Sequence, residues 1–578
     1  MATINVTSST ELRTAIQEAA SVDDLVLQGA VSFSTVTSLG KRSPFTPPTV
    51  LQSGYIVRGS NTVLTSSATI QNTRIYQQNV DGSYAPGAVK NLTLNYSSAS
   101  NGSPILSYNS TFGKSARSIL IDNVAFTGTS SGWGNGNSGV YVSLLSSNAN
   151  QPTQIAFTLQ GSSVALTGQL GSSAFLRSWN NDAAIVLSAN TFNEAGFNSS
   201  FNFLNYNPTQ KWGTYTLTNN VFTRSTNATV RAESNKLGSV TATLTGNEFR
   251  LGSHLDLSGD VSTITFGDNN QFYTIPNGFG IRVTNTNTNP IVGTPTFTGV
   301  TKFTSFGLPL KYVSTTAGAY SVVASGGGTF SIDFAGTVVI FDRLSAGSQV
   351  NDTIDFSATS IRNWLNGDDG NDTIRGGSAV DYILGGSGND SLYGGDGNDS
   401  ILGGNNLDQL WGDLGNDTLN GAANDDTLTG GAGADRFMWM LSSSNDTITD
   451  FTTGNNDTIA LSKVTGTTFI NTTLNNLLSA SDYITKANLS DIVTGAVSNT
   501  ASSSGKLTKI TNGQTATAIS GYTAASLTTA YILVADSVSN VARLIYDADW
   551  SNTTGRTTLT LGTVSLATIS NSSFFIQV

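Results

Sequence analysis

Gly385-Gly386-Ser387-Gly388-Asn389-Asp390-Ser391-Leu392-Tyr393 is followed at once by Gly394-Gly395-Asp396-Gly397-Asn398-Asp399-Ser400-Ile401-Leu402. The same nine-residue frame places aspartate at Asp372, Asp381, Asp390, Asp399, Asp408, Asp417, Asp426 and Asp435. Two residues after each stands an apolar side chain: Ile374, Ile383, Leu392, Ile401, Leu410, Leu419, Leu428 and Phe437. Asn363 and Asp446 read as one further step at either end. One apolar residue per repeat, between glycine-rich corners, describes short strands that each bury one side chain in a narrow core.

The corners are led by Gly367, Gly376, Gly385, Gly394, Gly403 and Gly412. Glycine reaches φ > 0 without strain, so backbone carbonyls can turn inward beside the aspartates. An all-oxygen environment of this kind suits calcium, a hard cation taking 6–8 oxygen ligands. The pattern resembles the RTX, or haemolysin-type, nonapeptide GGxGxDxUx over about 80 residues. That resemblance implies a parallel β-roll with two nonapeptides per turn. It also implies several Ca2+ ions shared between turns on each side. The metal residues it points to are the eight aspartates, the six leading glycines and Asp396. It pairs Asp372 with Asp390, Asp381 with Asp399, and so on to Asp417 with Asp435. Some repeats depart from the pattern: Ala379 and Asn406 replace the third glycine, and Asp413 and Ala422 the second. Leu414 and Ala423 take loop positions usually held by polar residues. The loops 403–408 and 421–426 are therefore expected to be weaker or empty sites.

The charge distribution isolates the same region. Residues 351–460 hold 18 Asp, no Glu and three basic residues (Arg362, Arg375, Arg436), a balance of −15. The whole chain is −11, so the remainder carries +4. Over 578 residues only 11% are charged, against about 25% for a typical globular protein. Sixty glycines, with abundant Thr, Ser and Asn, point to an all-β chain with many tight corners. Absence of cysteine excludes disulfides and thiolate chemistry, and a single histidine, His254, excludes a multi-histidine zinc site. No basic stripe suits nucleic acid. No run approaches the roughly 18 apolar residues of a membrane span, so the chain is not expected to be transmembrane.

Stacked carboxylates repel without metal, so the roll is expected to fold only where calcium is plentiful. Extracellular sites often have Kd of about 10⁻⁴–10⁻³ M, far above cytosolic calcium. The stretches Asp435-Arg436-Phe437 and Asp446–Phe451 through Asn456–Ser462 look like the end of RTX domains in type I secreted proteins. The tail Ala542–Asp549, ending Ser573–Val578, resembles their uncleaved export region. The N-terminus Met1–Asn5 lacks the basic and apolar regions of a cleaved signal peptide. Extracellular localisation at the cell surface follows as an expectation, with the type I secretion apparatus as partner.

The N-terminal half reads differently. Thr3–Val6 is a strand. Ser8 and Glu11 have capping-box spacing, and Leu12, Ala15, Ile16 and Ala19 follow a helical period. Asp23–Leu27 returns to strand. This order resembles the N-terminal cap of pectate-lyase-like right-handed β-helices. A looser repeat follows: Leu187–Phe192, Leu217–Phe222 and Leu244–Phe249 share one frame around Asn190, Asn220 and Asn247. Asn270-Gln271-Phe272 and Ile119–Asn123 are weaker copies. Leu and Phe are expected inside and Asn at a bend. No catalytic constellation stands out. Arg224, Arg231, Glu233, Lys236, Arg250, His254 and Asp256 read as a solvated rim, and Trp133, Trp179 and Trp212 as packing residues.

The architecture expected is all-β. A right-handed parallel β-helix spans 1–320 and a β transition 321–350. An RTX β-roll follows at 351–460, then a β-rich export domain at 461–578. The expected function is structural: a secreted surface-layer, sheath or fibril protein that self-associates, with cell-envelope polysaccharide as a further partner. The chain resembles RTX S-layer proteins and oscillin-like surface fibril proteins. A polysaccharide lyase or epimerase and a glycan-binding adhesin are the alternatives.

Overall fold

The computed structural model places strands along the chain. It describes side chains for residues 120–127, 156–165, 184–193, 214–223, 241–251, 253–257, 261–274, 278–285, 291–304, 308–333, 338–439 and 444–460, with short stretches at 533–534, 541–545, 556–562, 569 and 573. The chain divides into two units, Met1–Lys311 with Val322–Asp333, and Tyr312–Ser321 with Phe334–Val578.

The first unit is a three-sided parallel β-helix. After the first two strands, every third strand in sequence joins the same sheet, and one sheet runs through 11 strands from Thr3–Val6 to Thr296–Phe297. Thr3–Val6 and Asp24–Leu27 are strands as read from the sequence and pair in parallel. The capping helix expected at 8–19 lies outside the described residues. Alternation along each strand sends Leu187, Leu217, Leu244 and Phe192, Phe222, Phe249, Phe272 inward, each at most 3% exposed. The phenylalanines stack coil upon coil at centroid distances of 4.5–5.0 Å.

Asparagine lines the bend, as expected. Asn190 Nδ2 donates to Leu159 O and to Asn220 Oδ1, at 2.8 and 2.9 Å. Asn220 repeats this with Leu187 O and Asn247 Oδ1, and Asn247 with Leu217 O and Asn270 Oδ1. Ser162 takes the ladder position before Asn190 and donates its N–H to Asn190 Oδ1 at 2.9 Å, and the residue before each ladder member has positive φ: Gly161, Ala189, Asn219, Gly246 and Asn269. Asn123 also has positive φ, and strand register puts it in this preceding position, so Val124 stands at the ladder position of its coil.

The second unit contains the nonapeptides. Successive repeats alternate between two parallel sheets. Tyr382–Ser387, Ser400–Asn405 and Thr418–Ala423 are neighbours in one, and Ser391–Asp396, Gln409–Leu414 and Thr427–Ala432 in the other. Each pair is offset by one full turn, Ile383 opposite Ile401 and Leu392 opposite Leu410. The eight apolar residues of the frame are at most 2% exposed and form the core between the sheets. The C-terminal strand Phe574–Gln577 pairs in parallel with Thr458–Ser462, and Ala542–Asp547 forms antiparallel pairs with Ala530–Ala535 and Thr557–Thr560.

Candidate metal centre

Two rows of carboxylates run along the second unit, one at each set of corners. Asp372, Asp390, Asp408 and Asp426 form the first; Asp381, Asp399, Asp417 and Asp435 form the second. Each is 1–2% exposed. The link between turns is the backbone. Asp372 N–H donates to Asp390 Oδ1, Asp390 N–H to Asp408 Oδ1 and Asp408 N–H to Asp426 Oδ1, each at 2.8 Å. The second row repeats this from Asp381 to Asp399, Asp417 and Asp435 at 2.7–2.9 Å. The resemblance to RTX repeats pairs the same residues, and here hydrogen bonds from backbone to carboxylate join them.

The other oxygen of these carboxylates is the informative one. Oδ2 of Asp372, Asp390, Asp399, Asp408, Asp417, Asp426 and Asp435 is buried and accepts no hydrogen bond. A buried carboxylate oxygen without a donor is costly, and such charges are met by pairing or by metal. The leading glycines explain how each oxygen is reached. A Cβ at Gly394 would lie 2.6 Å from Asp399 Oδ2 and 2.7 Å from Gly412 O. Any side chain there would fill the point where a carboxylate oxygen and a carbonyl from the next turn converge. Gly367, Gly385, Gly403 and Gly412 stand in the same relation to Asp372, Asp390, Asp408 and Asp417 and to a carbonyl one turn on. Oxygens alone, from carboxylate and carbonyl, fit a hard cation. No three His, Cys, Asp or Glu side chains converge among the described residues. Backbone carbonyls such as Gly412 O stand beside the carboxylates at the leading glycines.

The electrostatics agree. Burial, and then the like charge of Asp381 a turn away, pushes Asp399 up to about 9. Burial and neighbouring aspartates push Asp408 and Asp426 up to about 8, and Asp372, Asp390 and Asp417 up to about 7. Without a counter-ion the rows resist ionisation.

The departures from consensus fall out unevenly. Asn406, Asp413, Ala422 and Asn424 keep positive φ, 71–79°, at positions where other repeats have glycine. The loops 403–408 and 421–426 thus retain the corner geometry, with Asp408 and Asp426 Oδ2 open like the rest. The loop 376–381 differs instead. Gly377 N–H points inward and donates to Asp381 Oδ2 at 2.6 Å, and Asn363 donates twice to Asp381 Oδ1. Asp396 is exposed at the loop surface, outside the buried rows.

The rows extend further than the strict period. Asp352 N–H donates to Asp372 Oδ1, and Asp352 is itself held by Ser348 and Gly318 N–H. Asp426 N–H donates to Asp446 and Asp435 N–H to Asp457, both at 3.1 Å. Asp446 stands eleven residues after Asp435, not the nine of the frame read from the sequence, so it continues the row of Asp426 by way of a longer loop. Asp450 takes the N–H groups of Gly430 and Gly431. The period of nine missed Asp352, Asp450 and Asp457. The shared Asn-Asp-Thr-Ile at 351–354, 371–374, 445–448 and 456–459 was the available signal for Asp352 and Asp457.

The charged residues of the first unit need a correction. His254 and Asp256 are not on a solvated rim: they are 6% and 4% exposed. Arg282 binds both Asp256 oxygens at 2.6 Å, His254 Nε2 lies 3.3 Å from Oδ1, and these partners outweigh burial to hold Asp256 below its usual range. Strand alternation places Asp256 outward between Leu255 and Leu257, but Arg282 from the next coil covers it. Arg250 does form an exposed pair with Glu248. Arg224, Glu233, Lys236 and Trp212 lie outside the described residues, as do the side chains of Arg231, Trp133 and Trp179.

No helix among the described residues is long and apolar enough to cross a membrane. No curated protein matches the chain. Among protein families, the RTX calcium-binding nonapeptide repeat matches at residues 357–392, 376–410 and 402–437. Residues 357–437 of this chain therefore belong to the RTX calcium-binding nonapeptide repeats, and its cofactor is Ca2+.

Proposed function

We propose that the chain is a secreted structural protein of an extracellular layer, sheath or fibril, folded by calcium and assembled with its help. The observation that carries the reading is the set of seven buried Oδ2 atoms without donors, stacked a turn apart. We assign as ligands Asp372, Asp390, Asp399, Asp408, Asp417, Asp426 and Asp435, with the carbonyls of Gly385, Gly403, Gly412 and Gly430 that approach the leading glycines. Bound calcium supplies the positive charge that lets these carboxylates ionise while buried. Free-calcium levels outside cells reach what such sites need, so folding follows export. The tail from Ala542 is the export signal in this reading. Low charge elsewhere leaves little repulsion between copies, and repeated heterologous contacts build sheets or fibrils rather than closed dimers.

The test is electron microscopy and size analysis of the purified chain, first in chelator and then at about millimolar calcium. Periodic sheets or fibrils only with calcium are expected. Monodisperse monomers at high calcium overturn the assembly. If they cleave or epimerise an acidic polysaccharide, the protein is an enzyme; if they bind glycan unchanged, it is an adhesin.

A further inference from the structure

One face of the β-helix carries a regular array of threonines. Four successive coils contribute Thr214-Tyr215-Thr216-Leu217-Thr218, Thr241-Ala242-Thr243-Leu244-Thr245, Thr263-Ile264-Thr265-Phe266 and Thr294-Pro295-Thr296-Phe297. Tyr215, Leu217, Leu244, Ile264, Phe266 and Phe297 point into the core, so the threonines between them point out. The strands are parallel and in register. Thr216 lies opposite Thr243, Thr243 opposite Thr265, and Thr265 opposite Thr296. A second rank contains Thr214 opposite Thr241, with Thr263 and Thr294 two residues before the first rank, and Thr218 opposite Thr245 begins a third. Thr214, Thr241, Thr243, Thr294 and Thr296 are exposed, and the others are half-buried. The two preceding coils continue the face with Ala156, Thr158, Gln160 and Ala184, Val186, Ser188. None of these outward strand positions holds a charged or aromatic side chain. The neighbouring sheets differ: one carries Asp256 and Arg282, the other Glu248, Arg250 and Lys302.

From this array we infer that the threonine face binds the surface of ice. A parallel sheet repeats at about 4.8 Å between strands and about 6.7 Å between like-facing residues along a strand. These repeats approach those of water oxygens along the two axes of the prism face of hexagonal ice. Threonine is stiff at χ1, so its hydroxyl and methyl hold their lattice positions without losing much freedom on binding. Charged side chains would bind mobile water and ions instead, and the four threonine strands carry none outward; on this sheet Asp122 stands beyond them, in register with Gln160. Contact with another copy is the rival occupant. Six strands with up to three ranks cover roughly 600 Å² at the spacings of a sheet, short of the ~800 Å² per partner of a stable interface.

The experiment freezes a dilute solution of the full chain slowly, with about millimolar calcium so that the nonapeptide region is folded, and measures its partition into the growing ice. The wild-type chain is expected to enter the ice and to slow recrystallisation. Thr243→Tyr and Thr296→Tyr stand a ring above the plane and should reduce both effects to the level of a non-binding control protein. Thr243→Val keeps the shape and should retain most of the effect. Lys302→Tyr, on another sheet, should change nothing. Circular dichroism of each variant verifies the fold. Exclusion of the wild-type chain from ice overturns the inference even if a variant fails to fold, and so does an equal loss in Lys302→Tyr. A dimer in sedimentation that Thr243→Tyr dissolves also overturns it, by making the face a contact between copies.

Discussion

In the proposed reading, the aspartates that depend on metal are those with a buried carboxylate oxygen that has no donor. Asp399 Oδ2 has no donor, whereas Asp381 Oδ2 takes Gly377 N–H. Asp399→Asn should lower the number of bound calcium ions in native mass spectrometry, and Asp381→Asn should leave it unchanged. Equal losses in both would refute that distinction. The raised carboxylate pKa values set the sign of a pH effect. Unfolded aspartate titrates near ~3.9, while these groups in the metal-free fold titrate at about 6 to 9. Their contribution to the metal-free fold is therefore fully present in acid and lost as pH rises through that window. Calcium needs the ionised form, so its affinity runs the opposite way. In chelator, acidifying from pH 8 to pH 5 should increase β-structure by circular dichroism; with calcium, the same change should release ions. A chelated protein indifferent to pH would contradict the burial of these groups.

At the scale of the element, corners and ladders decide stability. Ala422 holds φ 77°, where a Cβ is strained by about 1–2 kcal/mol. Ala422→Gly should therefore raise the urea midpoint at fixed calcium, by the equivalent of about 1 kcal/mol once the added freedom of the unfolded chain is subtracted. Gly394→Ala tests the opposite case, because its Cβ would meet both Asp399 Oδ2 and Gly412 O. Overpacking of this kind typically costs about 1–3 kcal/mol, and here calcium affinity should fall with it. In the β-helix, Asn220→Ala strands Asn190 N–H and Leu187 O inside the bend. Each unsatisfied group costs about 1–3 kcal/mol, so denaturation of the first unit should shift clearly while calcium binding stays as it was.

For the whole molecule, metal and chain topology act together. The second unit has a narrow core of one apolar residue per nonapeptide, and the carboxylate rows flank it. Calcium binds the native form, so it stabilises that form by mass action. Excess chelator should melt this unit, and calcium should restore it, in circular dichroism. An unchanged signal in chelator would sink the dependence on metal. Export belongs to the same scale. Deleting residues from 540 onward should trap the chain in cells that carry a type I exporter. The deletion also removes Phe574–Gln577, which pairs with Thr458–Ser462, so calcium binding of the truncated chain must be measured alongside. Normal secretion of the truncated chain would refute the export reading.

The sequence by itself determined the buried apolar row, and its resemblance to the RTX nonapeptide implied the parallel roll and its calcium. A nine-residue period repeats both a core residue and a ligand, so local chemistry and long-range stacking carry the same signal. It also located Asn190, Asn220 and Asn247, because a buried bend that needs side-chain donors recurs once per coil. Only the tertiary structure decided which carboxylate oxygens lack donors. That depends on N–H groups such as Gly377 and Asn363, whose direction no spacing reports. The burial of His254 and Asp256 was likewise decided by Arg282, 26 residues on, arriving in register from the next coil. The threonine ranks lie in plain view in the sequence, yet they become a surface only when four coils stack them at one sheet's spacing. Coil lengths vary, so no fixed period could have aligned them in advance.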